Sequence, residues 1–330
     1  MGLKLSILDQ CIIYEGETAQ STLAKTIDFA QRADQLGFDT FLVAEHHFTK
    51  NIASTTPEVL VGYLLASTDN IRIGSAGVML QHYVPYKVAE AFSVLHQLAP
   101  SRVVLGVGKA QGGKDEAVEV LQRDFIKPVQ SFDDKFVELT QFIRNNFPAN
   151  HPYAGEEYDL QPEIDEGFTI DLLGGSEESA QLATAQDTGI IYPYFADSDE
   201  AKLSRIRQAY QGSADFKIAV IVYITDDEEA GEAYLAEQAS YTVIFNNGKR
   251  VNFNQQAVAE DYAKLHQDKE ARVIERPVGA FVGNANQVKA QLVDFSKRFD
   301  TEHFVIHTIG VAYEKKIDII EKLAKEVIGG

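Results

Sequence analysis

Gly37-Phe38-Asp39-Thr40-Phe41-Leu42-Val43-Ala44-Glu45-His46-His47-Phe48-Thr49 runs from a glycine through an apolar stretch into a carboxylate and two imidazoles. A short β-branched and aromatic run of this kind reads as a strand. The abrupt change to titratable side chains places them at the strand's C-terminal end, the face on which parallel α/β barrels keep their active sites. A neutral imidazole can exchange a proton near neutral pH, and an adjacent carboxylate can fix its tautomer. His46 and Glu45 are therefore candidate acid-base residues, with solvated loop residues as the alternative. A metal site from Glu45, His46 and His47 is disfavoured, because neighbours along a strand end point apart.

Outward from this stretch, short β-branched runs alternate with longer stretches of helical period, which predicts βα units around a parallel sheet. Eight strands are expected: Lys4 to Leu8, Thr40 to Ala44, Ile71 to Val78, Arg102 to Val107, Phe168 to Leu173, Ile190 to Phe195, Lys217 to Ile224 and His303 to Ile309. Between them, Leu23, Ile27 and Ala30 share one helical face, as do Val88, Phe92, Leu95 and Ala99, and Ile317, Ile320, Ala324 and Val327. Nearly continuous apolar strands fit a closed (β/α)8 TIM barrel better than an open doubly wound sheet, although the alternation alone allows either. We read residues 1–330 as one barrel domain with insertions near 150–166 and 246–276. The second insertion, polar and placed after the seventh strand, is expected to be a mobile lid on the active-site face.

The formal charge of −19 argues against nucleic acid and anionic membrane surfaces as partners. No apolar stretch approaches the roughly 20 residues that span a bilayer, and the start lacks the blocks of a signal peptide, so a cytoplasmic protein is expected. The single cysteine, Cys11, cannot form an intrachain disulfide or a thiolate cluster. No metal is expected.

Further candidates lie at other strand ends. Gly74-Ser75-Ala76-Gly77 sets four small residues where a flat ligand could approach the backbone, or where the barrel bends tightly. Leu173-Gly174-Gly175-Ser176-Glu177-Glu178-Ser179 enters a helix, and its amides, glycines and hydroxyls suit a phosphate dianion. An ordinary N-cap at Ser176 is the alternative, which Glu177 and Glu178 favour by repelling an anion. Lys109 could face a phosphate or simply be solvated. His307 reads as a satisfied core imidazole, and His151 and His266 as surface residues.

At these residues the chain resembles the luciferase-like flavin monooxygenases. Gly37 to Thr49 is similar to the luciferase catalytic-subunit segment, and IASTTPEVL, IRIGSAGVML and PYKVAEAF are similar to single-chain members. The resemblance runs from Leu3 to about Gly113, resumes at LLGGSEESAQLA, and echoes again in Val282 to Val288. It implies an FMN-binding barrel in which reduced FMN, supplied by a separate flavin reductase, and O2 oxygenate a small organic substrate such as an aldehyde or another carbonyl compound. It also implies that His46 is the catalytic imidazole, with Glu45 as its nearest charged partner and His47 turned outward. Ser75, Ala76 and Gly77 would lie against the flavin, with a non-proline cis peptide at Ala76-Gly77. Lys109, Gly174, Gly175, Ser176 and Ser179 would hold its phosphate, and the second and third helices, with Gly62 and Ala66, would form a homodimer contact. The chain departs from the family where Gln81 replaces a proline and where Gly108-Lys109-Ala110-Gln111-Gly112 replaces a Gly-Arg-Ala-Pro-Gly pattern. Lysine keeps the charge but loses the bidentate fork. A deazaflavin-dependent hydride-transfer enzyme and a non-catalytic flavin-binding partner subunit are the other readings open to such a barrel.

Overall fold

The β-branched runs become strands and the 3.6-period stretches become helices in a computed structural model that describes every residue except 1, 111, 113, 114, 128, 165, 166, 249, 254, 255, 267–269 and 330. The strands are β1 (Lys4–Asp9), β2 (Thr40–Val43), β3 (Arg72–Ser75), β4 (Val78–Met79), β5 (Val103–Gly108), β6 (Thr169–Leu173) and β7 (Gly189–Tyr192). They continue as β8 (Phe216–Ile224), β9 (Ser240–Ile244), β10 (Arg250–Phe253), β11 (Arg272–Arg276), β12 (Ala280–Gly283) and β13 (His303–His307).

Parallel pairing runs β13-β1-β2-β3-β5-β6-β7-β8, and β8 also pairs with β13, which closes the ring of a (β/α)8 barrel. The expected third strand breaks after Ser75 and resumes as β4, which pairs only with β5. β12 adds a further parallel strand against β8.

Local chemistry starts and stops the helices. Thr18 and Ser21 form a reciprocal capping box at the helix Ala19–Gln35, and Asn284 with Gln287 does the same for Ala285–Phe299. Pro57 and Pro85 open Pro57–Ser67 and Pro85–Leu98 at positions where a missing N–H costs nothing. The first helix buries Thr22, Thr26, Phe29, Ala30 and Ala33, so its core face lies about one residue away from the Leu23–Ile27 stripe read from sequence. Leu23 and Ile27 instead line a surface groove with Val59, Leu60 and Tyr63.

The main core lies between barrel and helices, where Phe41 meets Phe29 edge-on at 5.5 Å. Inside the barrel, Leu8, Leu42, Ala44, Ala76, Val104, Ile191, Ala219 and Val305 form a second apolar cluster. The lower part of the barrel is cross-linked by polar groups: Lys217 donates to Asp171, both buried, and His303 Nδ1 lies 3.0 Å from Asp215.

Residues 246–276, read from sequence as a mobile lid, contribute to an antiparallel sheet in the order β10-β9-β11 and a helix Gln256–Leu265. Val243, Phe245 and Ala259 give this insertion an apolar centre of its own. Its polar composition hid two strands, of which Val251 and Val273 pack against that apolar centre. Positions 249, 254, 255 and 267–269 of that segment, and 165 and 166 of the first insertion, lie outside the described residues.

Candidate active site

The strand ends converge on a cavity of about 530 Å³ at the C-terminal mouth of the barrel. That volume falls within the range of small-molecule and cofactor sites. β1 contributes Leu8 and the following Gln10, and β2 leads to Ala44 and His46. The β3–β4 break supplies Ala76, Gly77 and Met79, and the end of β5 supplies Gly108, Lys109 and Ala110. Opposite them stand Leu173 to Ser176, Ser179, Ile191, Pro193 and Phe195. Ala219 and Val305 also line it. Among the described residues, none of 240–276 lines this cavity.

His46 faces the cavity with a buried Nδ1 that has no hydrogen-bond partner. Burial pushes its pKa below the ordinary imidazole value; Glu45 opposes this and His47 adds to it. At neutral pH His46 is therefore a neutral imidazole, able to accept or donate. Glu45 is fully buried and turned away from His46's ring. Its Oε1 lies 2.6 Å from His47 Nε2 and accepts from the Tyr83 hydroxyl at 2.6 Å, while Oε2 accepts from the Met79 N–H at 2.9 Å. Glu45 thus remains the carboxylate that acts on His46 through space but gives its hydrogen bond to His47, because alternation along the strand end sends residues 45 and 46 to opposite faces. Glu45 braces the wall that carries Met79.

The Ala76–Gly77 peptide is cis. The glycines around it are required by close strand contact. A Cβ on Gly74 would stand 2.1 Å from the Val104 carbonyl oxygen, one on Gly106 2.0 Å from that of Ser75, and one on Gly77 2.9 Å from that of Gly106. Ser75 is buried in this contact, donating to the Gly106 carbonyl at 2.8 Å, and does not line the cavity.

At the phosphate candidate, Ser176 caps the helix Glu177–Ala185, its Oγ accepting from the Ser179 N–H at 3.2 Å. A Cβ on Gly174 would collide with Ser179 at 2.4 Å, whereas one on Gly175 would meet only Pro193 at 3.9 Å. Gly175 therefore leaves open space toward the cavity. Glu177 is drawn off by Arg205 at 3.0 Å. The Glu178 carboxylate folds onto its own amide and Ser176, and those hydrogen bonds lower its pKa. The Glu178 side chain is thus drawn to this helix start. Lys109 lines the cavity, but its ammonium pairs with Asp133 at 3.2 Å, both half-exposed. An exposed pair of this kind is weak. Gln111, in the stretch that departs from the family pattern, lies outside the described residues.

Sequence reasoning missed Gln10, Met79, Pro193 and Phe195, whose types carry no chemical signature. His307 is the core imidazole expected, its Nδ1 bonded to the Leu8 carbonyl, but its Nε2 is buried without a partner. Cys11 lies away from the cavity, its thiol near the Asp9 carboxylate, and burial followed by that carboxylate raises its pKa well above the usual range. Among the described residues no cluster of three or more His, Cys, Asp or Glu could hold a metal, and no helix is long and apolar enough to cross a membrane.

The family model of luciferase-like monooxygenases matches residues 6–302. N-acetyl-S-alkylcysteine monooxygenase of Bacillus subtilis is 40% identical over 322 residues, covering 96% of each chain. Among solved structures, a monooxygenase from Streptomyces bottropensis superimposes with a TM-score of 0.73 at 16% identity, covering 99% of each chain. The oxygenating constituent of 3,6-diketocamphane monooxygenase from Pseudomonas putida, a type II Baeyer-Villiger monooxygenase in complex with FMN, superimposes with a TM-score of 0.67 at 17% identity, covering 98% of this chain and 97% of that one. At such identities the solved structures speak to the fold alone. The match along nearly the whole sequence and the barrel mouth built around His46 lead to one conclusion: this chain is an enzyme of the luciferase-like monooxygenase family.

Proposed function

We propose that the protein is a monooxygenase that uses reduced FMN, delivered by a separate flavin reductase, and O2 to oxygenate a small, partly apolar molecule. The observation that carries this reading is the convergence of His46, the Ala76–Gly77 peptide and the Gly174–Ser179 turn on one cavity. In it, Ser176, Ser179 and Lys109 would hold the FMN phosphate, and the Ala76–Gly77 backbone would support the ring system. Bound reduced flavin supplies two electrons, so that one oxygen atom enters the substrate and the other leaves as water. His46, neutral and lining the cavity, moves the protons that this exchange requires. Leu8, Ile191, Phe195 and Val305 exclude water around the reacting atoms.

The B. subtilis relative's name points to a thioether carrying a secondary amide, and we take an N-acetylated thioether amino acid as the leading substrate class, ahead of an aldehyde or ketone. The reading is tested by titrating the purified protein with FMN and with deazaflavin, then supplying reduced FMN, O2 and N-acetyl-S-benzylcysteine. The expected product is the sulfoxide, one oxygen heavier by mass spectrometry. Tighter binding of deazaflavin with hydride transfer and no oxygen incorporation would overturn it.

A further inference from the structure

Alternation divides the end of β1 between two environments. Leu8 and Gln10 line the cavity at the barrel mouth, whereas Asp9 between them is buried on the other face, where Thr26 donates to it at 2.8 Å and Lys316 Nζ at 3.1 Å. The Asp9 carboxylate also accepts from the Cys11 N–H at 3.3 Å. Cys11 has a φ of 53°, a left-handed conformation that a residue other than glycine keeps only where its surroundings enforce it. Here the Ala53 N–H donates to the Cys11 carbonyl at 2.9 Å, and Ile12 bridges to Ile52 just beyond. Gln10 is thus held between two pinned residues. Its side chain is partly buried, and the carboxamide makes no hydrogen bond with any described group.

In the ring of eight strands β6 is the fourth from β1 in either direction, so Gln10 stands across the mouth from the Gly174–Ser179 turn. Its neighbours are β2, which leads to His46, and β13, which carries Val305. Leu8, Phe195, Ala219 and Val305 make this half of the mouth apolar. Among the described lining residues Lys109 is the only cation, and it lies past the end of β5 on the side of the turn. A carboxylate placed beside Gln10 would therefore give up hydration without gaining a counter-charge. A secondary amide fits instead: its carbonyl accepts from Nε2 and its N–H donates to Oε1, one donor and one acceptor on each partner.

We infer that Gln10 is a specificity-determining residue that binds a secondary amide of the substrate through this reciprocal pair of hydrogen bonds. The inference rests on reading the cavity as the site of flavin and substrate. His46 then serves the reacting atoms, and Gln10 fixes which molecule presents them and in which orientation.

The test compares N-acetyl-S-benzylcysteine with its ester isostere, in which oxygen replaces the amide N–H, by calorimetric titration of the FMN-loaded, oxidised protein. We expect the wild type to bind the amide about ten- to a hundredfold more tightly, because the ester sets an oxygen against Oε1. In Gln10→Met, similar in length but without the carboxamide, amide binding should fall by about that factor and the preference should collapse to near unity, with FMN affinity unchanged. Equal binding of amide and ester by the wild type, a preference that survives in Gln10→Met, or failure of both compounds to bind would overturn the inference. Loss of FMN affinity in a Gln10→Met protein of unchanged circular dichroism would also overturn it, by placing the carboxamide on the flavin. Preferential binding of the amide without oxygen incorporation from reduced FMN and O2 would leave Gln10 as inferred and overturn the reaction proposed above. Oxygenation of amide and ester with equal efficiency would do the reverse.

Discussion

The Glu45 carboxylate lies 2.6 Å from His47 Nε2, not against the ring of His46. Three consecutive residues thereby take separate tasks: Glu45 braces, His47 is braced, and His46 is left to the cavity.

His46→Ala should leave the fold intact and slow substrate oxygenation about a hundred- to ten-thousandfold, the span for losing a positioned acid-base group. His47→Ala strips a buried carboxylate of a partner and should lower unfolding free energy by about 1–3 kcal/mol while leaving most activity in the folded fraction. Urea unfolding and single-turnover kinetics on both variants check the pair. An active His46→Ala alongside an inactive, stable His47→Ala would reverse their roles.

Lys109→Ala should weaken FMN about ten- to a hundredfold while affecting riboflavin little, because only FMN carries the phosphate. Since Asp133 competes for the same ammonium, Asp133→Asn should tighten FMN. Glu178→Gln should do likewise by vacating the helix start. Fluorescence titration of both ligands checks all three, and equal losses of FMN and riboflavin in Lys109→Ala would place that lysine away from the phosphate.

Asp9 is buried and paired with Lys316 at 3.1 Å, with Thr26 donating to it at 2.8 Å. Burial alone would raise the Asp9 pKa, but Lys316 and the hydrogen bonds outweigh it and leave it lowered. A lowered carboxylate contributes stability above its unfolded pKa and loses it as pH falls through the folded value. Lys316→Met should therefore cost about 3–5 kcal/mol near neutral pH, since it leaves a buried charge unpaired. Adding Asp9→Asn should recover much of that loss. Thermal denaturation of the single and double variants reads the coupling, and strictly additive losses would contradict it.

His307 supplies a pH signature of its own. Its folded pKa, held at about 4 chiefly by burial, lies below the unfolded imidazole's, so the unfolded chain binds a proton first. Stability from this residue is full above the unfolded pKa of about 6.5 and declines by roughly 3 kcal/mol on acidification to the folded value. His307→Leu should flatten that part of the curve of melting temperature against pH. An unchanged slope between pH 6.5 and 4 would show that His307 protonates in the folded state.

A homodimer is expected through the second and third helices, where Val59, Tyr63, Val94 and Leu98 are exposed. Gly62 is not the reason, since a Cβ there would meet Leu95 of the same chain at 3.1 Å. Light scattering should give twice 36.6 kDa, and Leu98→Lys should shift the particle toward the monomer.

Hydrophobic period and strand-end composition are properties of neighbouring residues, so the sequence alone carried the eight barrel strands, the glycine-serine turn and the His46 stretch. Alternation along a strand even sends Glu45 and His46 to opposite faces, although only the fold selects which face meets the cavity. What no window of sequence contains is the identity of the strand alongside. Leu8 offers its carbonyl to His307 because β13 lies beside β1 from the far end of the chain, which leaves Nε2 bare. Asp133 captures Lys109 across a loop, Tyr83 and His47 close on Glu45, and Gly74 and Gly106 are small because β3 and β5 touch backbone to backbone. Apart from the local His47–Glu45 pair, each of these is a contact between segments separated in the chain, fixed only when the barrel closes.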